Sequence, residues 1–185
     1  MNIAGSLGTA WDGPHPDNLT PETFDEIVKT AQRIIDEVKP ERTYFVLEPM
    51  PWVFPTDTDD YIQLMKAIDR RQFAVHIDIC NWMNGVKALY SNTAIIRDCF
   101  ERLRPYIKCV HAKDSVITDE LTTHIAEAIP GDGIIDYDEL LRQCALTGDI
   151  PVLSEHLRTE EEYDRATGFI SGRAAELGLA FETAR

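Results

Sequence analysis

The sequence predicts an α/β fold: a parallel sheet covered by helices and curved as part of a (β/α)8 barrel. Three observations lead there. Short, nearly continuous apolar runs alternate with amphipathic helical patterns, as expected of strands buried on both faces between crossover helices. Four of those runs end in an ionisable residue, in Tyr44-Phe45-Val46-Leu47-Glu48, Phe73-Ala74-Val75-His76-Ile77-Asp78, Ile107-Lys108-Cys109-Val110-His111 and Pro151-Val152-Leu153-Ser154-Glu155. Such groups are costly to bury unless they pair or bind a metal, and they converge only if the sheet curves. In parallel barrels the C-terminal strand edge is where active sites are built.

The elements follow in order. Asn2-Ile3-Ala4-Gly5 reads as a first strand, followed by the turn-rich loop Gly8 to Pro14. Thr20 caps a helix that starts at Pro21, where the missing N–H costs little. Phe24, Ile27, Val28, Ala31, Ile34, Ile35 and Val38 give that helix one apolar stripe, and Lys39-Pro40 ends it. A strand over 43–48 precedes a helix carrying Tyr61, Leu64, Met65 and Ile68. A strand over 73–79 precedes one carrying Ile95, Ile96, Cys99, Phe100 and Leu103. The strand over 107–112 leads through a longer loop to Pro130-Gly131-Asp132-Gly133 and a helix with Leu140, Leu141 and Cys144. The strand over 151–155 precedes a last helix, opened by the capping box Thr159-x-x-Glu162.

That makes five βα units in 185 residues. An eight-unit barrel typically takes about 200–250, so roughly three N-terminal units are expected to be absent. The alternative, a complete five-stranded open sheet, gives the four ligands no reason to converge. With no linker, repeat or low-complexity segment, residues 1–185 are expected to form a single, partial barrel domain. Open strand edges would invite association into a homo-oligomer.

Acidic residues outnumber basic ones by 32 to 18, a formal charge of −14. That balance repels phosphate backbones and argues against nucleic acid, while leaving room for a small anionic ligand held by a local cation. There is no basic leader with an apolar run, nor a stretch of membrane-spanning length, so a cytoplasmic location without membrane association is the expectation. Cys80, Cys99, Cys109 and Cys144 form no CxxC pair and read as free thiols of a reducing compartment. Cys80 shares its alternation phase with His76 and Asp78 and could line a pocket.

Glu48, Asp78, His111 and Glu155 form a hard, mostly oxygen donor set suited to Mn²⁺, Mg²⁺ or Co²⁺. Residues two apart on a strand share a face, so His76 points with Asp78, and Lys113 with His111. His76 either hydrogen-bonds a substrate hydroxyl or is a satisfied core imidazole. Lys113 either meets a substrate oxygen or phosphate or snorkels to the rim. Trp11, Trp52 and Trp82 all follow strands on this side, where they could wall a substrate or simply pack loops. Gly131 and Gly133 suit a tight turn, and Asp136 with Glu139 a helix cap.

Leu-Glu-Pro at Glu48, His-Ile-Asp-Ile-Cys-Asn at Asp78, Val-His-Ala-Lys-Asp at His111 and Ser-Glu-His at Glu155 resemble the metal-ligand motifs of the sugar phosphate isomerase/epimerase superfamily. The ligands come in the family's order, spaced by 30, 33 and 44 residues, and Pro130-Gly131-Asp132-Gly133-Ile134-Ile135-Asp136 is similar to its Gly-acid-Gly loop. The resemblance implies a xylose isomerase-like TIM barrel, of which this chain corresponds to strands four to eight. It implies Mn²⁺, or alternatively Mg²⁺, Co²⁺ or Zn²⁺, on those four ligands, with two positions left for adjacent substrate oxygens. It further implies enediolate-type proton transfer by Glu48 and Glu155 on a sugar, keto-sugar or sugar phosphate. His76, Asn81, Lys113 and Trp11 are then the expected substrate contacts. The sequence departs from the pattern at Asn81, where many members carry a histidine. A keto-polyol dehydratase on the same scaffold, or a truncated non-catalytic remnant, are the rival readings.

Overall fold

The computed structural model describes residues 2–182. Its strands are β1 (Phe45–Leu47), β2 (Phe73–Asp78), β3 (Ile107–His111), β4 (Asp114–Ile117), β5 (Ile125–Ala128) and β6 (Val152–Leu153). Its helices are α1 (Pro21–Val38), α2 (Thr58–Ile68), α3 (Val86–Tyr90), α4 (Asn92–Leu103), α5 (Tyr137–Thr147) and α6 (Glu160–Glu176). Strands β1, β2, β3 and β6 pair in that order, all parallel, with helices as the crossovers.

The helix signals act as read. Thr20 Oγ1 accepts from Thr23 N, Asp136 accepts from Glu139 N, and Thr159 accepts from Glu162 N. Only half of the last capping box forms, because the Glu162 carboxylate takes the Arg158 N–H rather than that of Thr159. On α1 the stripe buries Ile27, Ala31 and Ile35, but Val38 is 67% exposed. Lys39 leaves the helix in the left-handed region at φ 50° with its N–H on Ile35 O, so the stripe ends a turn before Val38.

Three expectations change. The first strand shrinks to one parallel bridge, Asn2 to Leu47, because Gly5 at φ 84° turns the chain away. The strand over 151–155 keeps only Val152–Leu153, and His156 at φ 60° marks the turn beyond it. The segment after His111 is not a plain loop: β4 and β5 form an antiparallel hairpin, pairing Asp114 with Ala128 and Ile117 with Ile125. The short helix α3 was not foreseen either.

Val75, Ile77 and Val110 turn one face of the sheet into a fully buried core with Tyr61, Leu64, Ile96, Phe100 and Leu140. His76, Asp78 and His111 occupy the opposite face by strand alternation. At the end of β1 the Tyr61 hydroxyl enters the ladder. It donates to Leu47 O at 2.5 Å and accepts from His76 N at 3.0 Å, so one buried phenol stands in for a direct strand-to-strand bond.

Candidate active site

The side chains of the four strand-end residues Glu48, Asp78, His111 and Glu155 reach one place. His111 Nδ1 lies 3.1 Å from Glu48 Oε1, 3.4 Å from Asp78 Oδ2 and 2.7 Å from Glu155 Oε1. Glu48 follows β1 and Glu155 follows β6, the two outer strands of the sheet. Asp78 and His111 are register partners on the inner pair. Lys113 does not snorkel outward. Its buried ammonium stands 2.7 Å from Asp78 Oδ2, 2.9 Å from Glu155 Oε1 and 3.3 Å from Glu127 Oε1. Glu155 Oε1 is at ion-pairing distance from both His111 and Lys113 without alignment for a hydrogen bond to either.

The electrostatics follow from this crowding. Burial resists charge on Glu155, yet His111 and Lys113 hold its carboxyl well below the usual carboxylate range. Asp78 is likewise buried and held down, by hydrogen bonding to His111 and by Lys113. Burial dominates at Glu48 and pushes its pKa up, with His111 opposing. Burial also opposes charge on His111, but Asp78, Glu155 and Glu48 push its pKa up to about 11. At His76 burial and the neighbouring His111 charge push the pKa down to about 3, so this imidazole is neutral. Lys113 and His111 thus supply the positive charge that three gathered carboxylates require.

Asn81 ties the site together. Its Nδ2 donates to Glu48 Oε1 at 3.3 Å and to Pro49 O at 2.9 Å, while its Oδ1 accepts from Lys113 Nζ at 3.4 Å. Its backbone N–H donates to Asp78 Oδ1. Trp11 stays apart on its loop, 71% exposed. Trp82 is buried with its indole N–H toward Pro55 O, and Trp52 packs against the core, so these two serve packing. Cys80 starts a short 3-10 turn instead of extending β2, and all four cysteines are free.

Two acidic residues matter that the sequence did not single out. Glu127, on β5, faces Lys113 and takes His156 Nδ1 at 2.9 Å. Its only signal was the weak alternation around Ile125. Asp114 sits in a cage of backbone donors: Oδ1 accepts from Ser115 N and Ile135 N, and Oδ2 from Gly131 N and Gly133 N. The Gly131–Gly133 turn therefore wraps a carboxylate of its own chain. A Cβ on Gly133 would fall 2.0 Å from Asp114 Oδ1, which explains the glycine. Tyr137 Oη donates to Lys113 O, locking the adjoining backbone.

The donors fit a divalent cation. Glu48, His76, Asp78 and His111 each offer an atom within 4.8 Å of all the others, and all four are buried. His76 Nε2, wholly inaccessible, has no hydrogen-bond partner. This group can bind a divalent metal ion, with carboxylate oxygens and imidazoles of the kind such ions select.

A parallel α/β barrel segment with an acidic and imidazole cluster at its strand ends defines the class. The sequence profile of the xylose isomerase-like TIM barrel family matches residues 1–172, and the chain belongs to that family. Among solved structures it is similar to a D-tagatose 3-epimerase-like protein, at 20% identity and TM-score 0.68 over 91% of this chain and 61% of that one. It is similar to the probable 3-DHS dehydratase AsbF of Bacillus anthracis, at 19% and 0.62 over 82% and 56%. A xylose isomerase-like TIM barrel protein of Mycobacterium smegmatis, solved in complex with magnesium, matches at 14% and 0.61 over 90% and 56%. At these identities the likeness is one of fold, and the chain spans 56–61% of those neighbours' lengths. No curated protein matches the sequence significantly. Among the described residues no helix is long and apolar enough to cross a membrane.

Proposed function

We propose that this chain is a divalent-metal-dependent isomerase or epimerase domain acting on a sugar, keto-sugar or sugar phosphate. The observation that carries the reading is the meeting of Glu48 and Glu155, from opposite ends of the sheet, on one nitrogen of His111 beside Asp78. Glu48, Asp78, His111 and Glu155 would hold the ion, with Mn²⁺ the first candidate and Mg²⁺, Co²⁺ or Zn²⁺ the others. Such an ion, when bound, polarises a substrate carbonyl and acidifies the neighbouring C–H. Glu48 and Glu155 approach from two sides, so one can take a proton and the other return one. Lys113 neutralises the carboxylates and offers N–H groups to a substrate oxygen or phosphate. Asn81 bridges Lys113 to Glu48 and orients both. Family membership and the likeness to an epimerase-like protein and to a magnesium complex support this reading.

A metal-dependent keto-polyol dehydratase is the second reading. It is supported by the likeness to a probable dehydratase.

The first test melts metal-stripped protein during a Mn²⁺ titration, beside Glu155→Gln. At a hundredfold excess over Kd, linkage predicts about 2.7 kcal/mol of added stability for the parent. The second incubates the Mn²⁺-loaded chain in D2O with ketoses, ketose phosphates and keto-polyols, and reads deuterium at the carbon beside the carbonyl by NMR. Inversion there identifies an epimerase, and loss of water a dehydratase. Neither metal response nor exchange across the panel would sink both readings.

A further inference from the structure

We propose that His76 is a metal ligand: a second imidazole, donated from one residue row deeper than Asp78 and His111, in one donor set with Glu48, Asp78 and His111, to which Glu155 adds a fifth donor only on the proposed-function reading. The proposal rests on the metal-binding reading above and changes its chemistry.

Register gives the depth. On the inner face Asp78 stands opposite His111, and one row down His76 stands opposite Cys109. A substrate entering from the strand ends meets the upper row first, so the fully buried His76 is badly placed to contact it directly. It is well placed to contact an ion. One of its ring nitrogens belongs to the set of donor atoms lying within 4.8 Å of one another. Its ring packs edge-on against His111 with centroids 4.1 Å apart.

The two nitrogens of His76 have different surroundings. Nδ1 lies 2.8 Å from Cys109 Sγ, whereas Nε2 is buried with no partner. Metal-binding histidines typically donate the N–H of the other ring nitrogen to a neighbouring acceptor, which fixes the tautomer and the ring orientation. With Cys109 sulfur as that acceptor, the lone pair is on Nε2. A buried nitrogen without water or protein partner is unfavourable, and coordination removes the problem. At the rim, the turn that follows β2 offers the Asn81 amide and no imidazole.

The consequence is specific. With His76 added to the donors, fewer positions on a bound ion would remain for substrate oxygens than with Glu48, Asp78, His111 and Glu155 alone. A second imidazole also moves preference away from Mg²⁺ and toward Co²⁺ and Zn²⁺.

The test counts nitrogens on the unmodified protein. Pulsed EPR of the Mn²⁺-loaded chain, repeated with ¹⁵N-histidine labelling, is expected to show two imidazole couplings, falling to one in His76→Gln. The same substitution is expected to weaken Co²⁺ binding about tenfold or more, with a smaller effect on Mg²⁺. A parent with one coupling, abolished by His111→Gln, overturns the role of His76 and leaves the metal site standing. No bound Mn²⁺ in the parent overturns both. The count on the parent keeps the test decisive even if His76→Gln folds poorly.

Discussion

Replacing Asp114 by asparagine strikes the point where the hairpin, the Gly131–Gly133 turn and the site join. Oδ2 accepts from Gly131 N and Gly133 N, each at 3.0 Å, and Oδ1 from Ser115 N at 2.9 Å and Ile135 N at 3.0 Å. An amide in place of Oδ2 turns two acceptor bonds into two opposed N–H pairs. Hydrogen bonds to a charged group contribute roughly 1.5–3 kcal/mol each, and water can partly replace the two at the part-buried glycines. A loss of about 2–4 kcal/mol is therefore expected. At this chain length that corresponds to a Tm lowered by roughly 5–15 °C. Urea unfolding of metal-stripped protein gives the free energy, and hydrogen exchange at the Gly131, Gly133 and Ile135 amides reports the local opening. Because Lys113 immediately precedes Asp114, the variant should also respond less to Mn²⁺. A loss under about 0.5 kcal/mol, with unchanged exchange at those three amides, would refute the cage as a source of stability.

Gly133→Ala should be as damaging. Its Cβ would meet Asp114 Oδ1 at 2.0 Å and Ser115 O at 2.7 Å, and the backbone shift needed costs about 1–3 kcal/mol, read as a lower urea midpoint. Tyr61→Phe removes the phenol shared by Leu47 O and His76 N, with an expected loss of about 1–3 kcal/mol and faster exchange of the His76 amide. Glu139 is held below its usual pKa by hydrogen bonds from Arg97 and Gln143. Its contribution is present above the unfolded value of 4.5 and lost as pH falls through the lower folded value. Glu139→Gln should flatten that acid limb between about pH 5 and 3, and salt should weaken the effect because Arg97 is exposed.

Helices α1, α2, α4, α5 and α6 were readable from a 3.6-residue apolar stripe, joined by a side-chain cap in all but α4, whereas α3 is five residues long and uncapped. The four strand-end residues were readable because ionisable groups stand out against Val, Ile and Phe; the structure brings Glu48, Asp78 and Glu155 to His111, while it is His76 rather than Glu155 that joins the other three in the group able to hold a metal ion. The hairpin was not, since its strands are four residues each and Ala126 and Ala128 blur the alternation. Asp114 looked like one more acidic residue beside Lys113, because three of its four partners lie 17 to 21 positions away, in backbone N–H groups that no side-chain pattern reveals. His76 was seen to share a face with Asp78. Its pairing with Cys109 depends on a register shift between Val75 and His76, which periodicity cannot supply. Trp11 shows the opposite failure, an aromatic after a strand that remains in solvent.

The run His111-Ala112-Lys113-Asp114-Ser115 is buried throughout, and its charged members take up opposite polarities at neighbouring positions: imidazole to the carboxylates, ammonium beside it, carboxylate into the backbone cage. Such a segment is tolerant in one way and brittle in another. A substitution keeps the alternation, so the remaining charges still point toward their own partners. Deleting Ala112 would carry the Asp114 carboxylate to the place of Lys113, against the other carboxylates, turn Lys113 to the opposite face of the strand and leave Ser115 at the cage of N–H groups. One carboxylate would then face its own sign while the cage loses its anion, so a change in length strikes several roles at once where a substitution strikes one position.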